Sequence, residues 1–70
     1  MNHRERIGQR IAELRKQRGL TVMQLANQCG VTRQNIYKIE DGKYNVSIDI
    51  LTKVATALDA ELIIQEKAAE

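Results

Sequence analysis

The feature that most constrains the fold of this chain is a glycine-valine pair, Gly30-Val31, that separates two short helical patterns. Each pattern has apolar residues on one helix face only. These residues are Leu25, Ala26 and Cys29 before the pair, and Ile36 and Ile39 after it. A glycine tolerates the left-handed backbone of a tight turn, and a small Ala26 lets two crossing helices approach each other. The pattern therefore predicts two short helices joined by a sharp turn, over about residues 21–41.

Polar residues with helix-capping chemistry precede the predicted helices. Thr21 and Gln24 have the spacing of a capping box, Thr32 can cap the next helix, and Ser47 can cap a fourth. The apolar stripe of that fourth helix comprises Ile48, Leu51, Val54, Ala55 and Leu58. A first helix, ending at Gly19, is indicated by the spacing of Ile7, Ile11 and Leu14. Because proline is absent and two tyrosines are the only aromatic residues, we predict an all-α fold of four to five helices.

Length and composition exclude several classes of protein. Seventy residues suffice for one small core, so we expect a single domain over residues 1–70. No apolar run approaches the roughly 20 residues that span a bilayer, and the N-terminus is charged, so we expect a cytoplasmic protein without membrane contact. The lone Cys29 is interpreted as a buried hydrophobe, and His3 lies far from it. We therefore expect no metal site, no cofactor and no enzymatic activity.

The segment after Asp59, AELIIQEK, changes from helical spacing to near-alternation of β-branched residues. This pattern predicts a short β-strand from about Ala60 to Glu66, with helix continuation as the alternative. In the strand, Leu62 and Ile64 would cover one face and Ile63 the other. A lone strand has no partner of its own, so we expect the C-terminal extension, about residues 60–70, to pair with a second copy in a twofold homodimer. A frayed tail is expected at residues 68–70.

Residues 20–42, LTVMQLANQCGVTRQNIYKIEDG, resemble the helix-turn-helix of the Cro/phage-repressor (Xre-type) DNA-binding family. The small Ala26, the turn Gly30 and the apolar residues around them stand at matching offsets. The resemblance extends through LRKQRGL before the motif and ATALDAEL after it, and covers nearly all of residues 5–63. It implies a repressor-like domain that binds double-stranded DNA and regulates transcription.

The third helix presents a row of polar side chains opposite its apolar face. With Ile36 and Ile39 inward, the step of about 100° per residue places Gln34 and Lys38 outward, with Tyr37 beside them. Arg33 stands at the exposed N-terminal edge. Gln can pair with adenine and Arg or Lys with guanine in the major groove. We therefore predict that the base-reading residues are Arg33, Gln34, Tyr37 and Lys38.

Phosphate contacts are predicted from helix N-termini and from polar groups that flank the groove. The candidates are Thr21, Thr32, Asn35, Lys43, Tyr44 and Asn45. The family often has Gln where this chain has Val22, so the N–H groups after Thr21 would replace that contact. By resemblance Arg15 pairs with Glu40, and we interpret this pair as structural, together with Ala26 and Gly30.

The charged residues outside the third helix do not by themselves identify the binding partner. The net charge is only +2, so local charge must decide binding to a polyanion. We interpret His3, Arg4 and Arg6 as a flexible start, with contact of the arginines to a DNA backbone as the alternative. Arg10, Lys16 and Arg18 are interpreted as surface charge, with a place at the edge of the DNA footprint as the alternative. We predict a repressor that reads an inverted-repeat operator as a homodimer. The alternative is an antitoxin-like module of the same fold that binds a partner protein, a toxin, and regulates its own operon.

Overall fold

A computed structural model describes residues 2–67, which contain four α-helices. They are α1 (His3–Gln17), α2 (Val22–Cys29), α3 (Arg33–Glu40) and α4 (Ile48–Ala57). The prediction of an all-α fold is confirmed. Helix α1 begins at His3, the second described residue, so His3, Arg4 and Arg6 are helical and the prediction of a flexible start is wrong. Nowhere in residues 2–67 is a helix long and apolar enough to cross a membrane.

A polar side chain caps the N-terminus of every described helix. Each cap accepts the N–H of the residue three positions later, over 2.8–3.2 Å. The caps are Asn2, Thr21, Thr32 and Ser47. The predicted capping box is complete, since the Thr21 N–H also donates to Gln24 Oε1 over 2.8 Å. These bonds satisfy donors that a helix cannot satisfy internally, which explains why the helices begin at these residues.

One apolar core joins the four helices. Its buried members are Ile11, Val22, Leu25, Ala26, Cys29, Ile36, Ile39, Val54 and Leu58. Helix α3 packs against both α1 and α2, while α2 also packs against α4. Cys29 is 7% exposed, as expected for a buried hydrophobe, and burial raises the pKa of its thiol.

Two residues of the predicted apolar stripes are exposed and lie outside this core. Ile7 is 41% exposed and lies at the rim of a groove between α1, α4 and the C-terminal segment. Ile48, the first residue of α4, is 75% exposed, although Val46 and Ile50 on either side of it pack against the core. Helical spacing gives the direction of a side chain but not the extent of the neighbour that would cover it.

Helix α1 approaches the end of α3 so closely that their backbones meet at Gly8. A Cβ atom at Gly8 would collide with the carbonyl oxygen of Ile39 and would lie 2.8 Å from that of Glu40. Gly8 is buried, although it lies in the middle of a helix. The absence of its side chain therefore sets the distance between α1 and α3.

The C-terminal segment differs from both predictions made for it. Helix α4 is capped at Leu58 and is followed by Asp59 with φ 55°, a left-handed conformation that ends the helix, so helix continuation is wrong. Residues 60–67 contain no β-strand, because a single chain offers no strand edge with which they could pair. Leu62, Ile63 and Ile64 are 46%, 67% and 104% exposed, so Leu62 and Ile64 do not share one covered face. The predicted frayed tail, residues 68–70, lies outside the described residues.

We expect Gly8→Ala to destabilise the protein by about 1–3 kcal/mol, because the added methyl group overpacks the contact between α1 and α3. Inside an unobstructed helix the same change stabilises by up to about 1 kcal/mol, so the sign of the effect is diagnostic. Urea unfolding followed by circular dichroism measures it. The control is Gln9→Ala, at the next and exposed position, which should stay within about 0.5 kcal/mol of the parent. A higher unfolding midpoint for Gly8→Ala would contradict the close contact.

Candidate nucleic-acid interface

The turn between α2 and α3 has the geometry that the Gly-Val pair predicted. Gly30 ends α2 with φ 72° and ψ 28°, the left-handed conformation that favours glycine. The Val31 N–H then donates to the Ala26 carbonyl over 3.1 Å and closes the turn. Ala26 is 1% exposed, in the interface of α2 with the core. Only two residues separate α2 from the Thr32 cap of α3, so the direction of α3 is tightly restricted.

Helix α3 buries one face and exposes the other. Ile36 is 0% and Ile39 is 3% exposed, whereas Tyr37 on the opposite side is 55% exposed. All four predicted base-reading side chains are exposed: Arg33, Gln34, Tyr37 and Lys38. No acidic residue occurs between Val31 and Ile39, so the two cations on this face stand among neutral groups. The exposed face of α3 can therefore donate and accept hydrogen bonds while carrying positive charge.

Arg15 and Glu40 connect α1 to the end of α3. The guanidinium donates from Nε to Glu40 Oε2 over 2.7 Å and from Nη2 to Oε1 over 3.0 Å, a bidentate arrangement. Its Nη1 donates to the Leu20 carbonyl over 2.9 Å, which ties in the turn before α2. Both side chains are 12% exposed. The hydrogen bonds to Glu40 raise the pKa of Arg15 above its ordinary value, although partial burial opposes this.

The Arg15–Glu40 contact predicted by resemblance is thus present. Its position explains its structural effect, because it neutralises the one carboxylate of α3 at the end of that helix. Glu40 would otherwise place a negative charge close to Lys38 and Lys43. The pair therefore holds α3 in place and leaves its exposed face positive.

The predicted phosphate-contacting residues lie at the two edges of α3 and at the start of α2. Thr21 and Thr32 are exposed helix caps, and each hydroxyl oxygen accepts a backbone N–H, so its own O–H proton is still available for a donor bond. Lys43 and Asn45 are exposed in the loop after α3. Asn35 and Tyr44 are half-buried, and Tyr44 packs against the core. The six positions differ in access, with the exposed four better placed to reach a ligand.

Two further positions shape this region: Gly8, which was not predicted to affect the interface, and Arg4, for which a DNA backbone contact was the alternative interpretation. Gly8 sets the separation of α1 and α3, and an isolated glycine inside a helical pattern was the signal for it. Arg4 lies on α1 beside Tyr44 and Asn45, which the sequence separates by about 40 residues. No sequence signal indicated that proximity. Within residues 2–67 no group of three His, Cys, Asp or Glu side chains could hold a metal ion.

Comparisons with known proteins extend over almost the whole described fold. Residues 6–63 match the helix-turn-helix domain family. An uncharacterised HTH-type transcriptional regulator of Methanothermobacter thermautotrophicus is 45% identical over 53 residues, which cover 76% of this chain and 77% of that protein. The matched range includes all of α2, α3 and α4 and most of α1.

Solved structures show the same architecture. The restriction-modification controller protein C.AhdI of Aeromonas hydrophila is similar with a TM-score of 0.79 and 42% identity, over 81% of this chain and 86% of that one. SinR, a master regulator for biofilm formation crystallised in complex with DNA, is similar with a TM-score of 0.74 and 39% identity. The similarity covers 79% of this chain and 89% of the SinR chain.

We expect removal of either partner of the Arg15–Glu40 pair to destabilise the fold by about 2–4 kcal/mol, somewhat less than for a fully buried pair. A double-mutant cycle with Arg15→Met and Glu40→Gln, read by thermal and urea unfolding, should give a clear coupling energy. The matched control is Arg10→Met with Glu13→Gln. That pair is 3.9 Å apart and 62% exposed on both sides, so its coupling should be too small to resolve. Equal coupling in the two cycles would refute the structural role of Arg15.

Proposed function

This chain belongs to the helix-turn-helix domain family of DNA-binding transcriptional regulators, and from that premise we propose that it reads a specific operator by inserting α3 into the major groove. The observation that carries the proposal is the division of α3 into a buried apolar face and an exposed polar one. B-DNA's major groove is wide enough to admit a helix, and its base edges form a distinct donor and acceptor pattern for each base pair. Selection of bound sequences from a random DNA pool at physiological salt tests the proposal. Failure to enrich any sequence would contradict it.

The four exposed side chains of α3 have different chemistry, and we assign them different targets. The Gln34 amide can accept and donate at once, which matches the N6 and N7 edge of adenine. Arg33 and Lys38 are donors only and match the acceptors of guanine. Tyr37 combines an apolar ring with a hydroxyl group, so it suits a thymine methyl group or a phosphate oxygen. Arg33 and Gln34 open the helix, and the N-terminal residues of a recognition helix reach the base edges.

Phosphate contacts on both sides of the groove would hold α3 in register. On one side, the first N–H groups of α2, at Val22 and Met23, point out of the helix beyond the Thr21 cap, where an anion is favoured. On the other side, Lys43 and Asn45 follow α3 directly. Thr32 and Asn35 at the start of α3, and Tyr44 in the loop, complete the proposed set. These contacts carry no base preference, so they contribute affinity and orientation.

We further propose that the protein acts as a homodimer on an inverted-repeat operator. Ile63 and Ile64 are largely exposed, and the same segment borders an apolar groove of about 160 Å³ between α1 and α4. Pairing of residues 60–67 with a second copy would cover these isoleucines and supply the partner that a strand requires. A twofold axis would then place two α3 helices about 34–36 Å apart in successive major grooves. Occlusion of the promoter by the bound dimer would repress transcription.

The alternative of an antitoxin-like module uses the same exposed C-terminal residues for a partner protein. No contact, charge pattern or groove in residues 2–67 favours a toxin over a second copy of this chain. The homodimer needs no additional component, and we therefore propose it over the antitoxin-like module.

We expect Gln34→Ala to lose about 1–3 kcal/mol of binding free energy on the selected operator and to relax the preference at one base position. On random DNA it should change little, because a base contact contributes only at its own base pair. Titration of labelled duplexes with each variant measures both quantities. An equal loss on operator and random DNA would refute base reading by Gln34.

Two matched variants complete that experiment. Gln28→Ala removes the same amide from an exposed position beside α4, away from α3, and should bind like the parent. Lys43→Ala should weaken binding to all sequences alike and reduce the slope of log K against log salt by about one.

We expect Ile64→Lys to weaken the homodimer by at least about tenfold. The substitution places one charge from each copy in the apolar contact between the two copies. Gln65→Lys adds the same charge to the next residue and should leave the dimer unchanged. Sedimentation equilibrium over a micromolar concentration series distinguishes the two variants. A parent protein that is monomeric throughout this range would reject the dimer.

A further inference from the structure

The N-terminal half of α1 lies against the end of α3 and the turn that follows it. Besides the contact at Gly8, Glu5 approaches Gly42, where an added Cβ atom would lie 2.6 Å from the Glu5 Cα atom. Gly42 is buried there and has φ 73°, so neither its space nor its backbone suits a side chain. These two approaches bring the first turn of α1 to the loop between α3 and α4.

Arg4 lies in the corner between the first turn of α1 and the α3–α4 loop. It lines a small depression of about 100 Å³ whose other walls include Tyr44 and Asn45 from the loop and Ile39 from α3. Arg4 and Asn45 are exposed, whereas Ile39 is buried and Tyr44 is half-buried. An arginine can lay its aliphatic stem on such an apolar floor and keep its guanidinium group in water. Arg4 therefore lies next to the loop that carries Lys43 and Asn45.

Arg4 forms no ion pair at this corner within the described part of the chain. In residues 2–67 the ion pairs are Arg10–Glu13 and Arg15–Glu40, so Arg4 has no carboxylate within 4.0 Å among them. Glu40 is already occupied by Arg15, and Glu5 is half-buried against Gly42. Asp41, which is exposed, is the nearby carboxylate in the α3–α4 turn. Neither Arg4 nor Lys43 has a carboxylate within 4.0 Å among these ion pairs, so both cations are free to bind an anion.

We propose that Arg4 is a DNA phosphate contact, which extends the phosphate-binding surface of Lys43 and Asn45 from the loop onto α1. This inference rests on the proposed function. When α3 lies in the major groove, the loop after it would face the sugar-phosphate backbone at the groove edge, and Arg4 lies beside Tyr44 and Asn45 of that loop. The planar guanidinium can donate two parallel hydrogen bonds to one phosphate group. Contacts from two separate elements, α1 and the loop, would fix the angle of α3 in the groove.

The test compares two arginines of the same helix. Arg4→Gln and Arg10→Gln remove the same charge from exposed positions on α1, but Arg10 lines the groove next to Leu14 and Leu62 instead of the α3–α4 loop. Binding of each variant is measured on the selected operator and on a random duplex, over a series of salt concentrations. Arg4→Gln should reduce the salt slope by about one and weaken binding about three- to tenfold at physiological salt, equally on both duplexes. Arg10→Gln should leave the slope unchanged.

Arg4→Lys restores the charge without the planar fork and should recover most of the salt slope. Thermal melting and sedimentation of each variant confirm that fold and oligomeric state match the parent. Equal effects of Arg4→Gln and Arg10→Gln would overturn the inference, because net charge alone would explain them. A loss of affinity confined to the operator would also overturn it, because a phosphate contact does not depend on the base sequence. Failure of the parent to bind any DNA would instead overturn the proposed function.

Discussion

The backbone contact between α1 and the last turn of α3 is the constraint on which the rest of the structure depends. Gly8 lets the carbonyl oxygens of Ile39 and Glu40 approach α1, and this approach brings Arg15 within hydrogen-bonding distance of Glu40. Helix α3 is therefore held by its apolar face, by its last carbonyl groups and by its terminal carboxylate. A helix fixed in these three ways presents its polar side chains in one arrangement before any ligand arrives. Less side-chain and backbone freedom is then lost on binding.

Much of the fold could be predicted from the sequence because its determinants are local. The caps at Thr21, Thr32 and Ser47 act within three residues, and the turn at Gly30 depends on one backbone conformation. The division of α3 into a buried apolar face and an exposed polar face follows from two isoleucines three positions apart. The exposure of Gln34 and Lys38 could therefore be predicted without knowledge of any contact, whereas the bases that they read depend on a partner that the chain does not contain.

What could not be predicted depends on the distance between elements. Ile7 and Ile48 have helical spacing but remain exposed, because the neighbouring elements do not cover them fully. Residues 60–67 have the residue types of a strand, yet strand formation requires an edge supplied from elsewhere. The proximity of Arg4 to Asn45 arises only after α1 has docked on α3. The sequence around either residue therefore does not indicate that the other lies nearby. The Arg15–Glu40 contact has the same non-local origin and could be predicted only by resemblance to a family.

The shortness of α2 and α3 has a consequence for how the protein behaves in a cell. At eight residues each, neither helix would persist in water without the core, because isolated helices of this length do not offset the free energy of nucleation. The polar face of α3 therefore exists only in molecules whose whole core is formed, and the fraction of active protein equals the fraction folded. Any ligand of that face would in turn stabilise the entire domain by mass action. Occupancy of the target and survival against proteolysis would then rise and fall together.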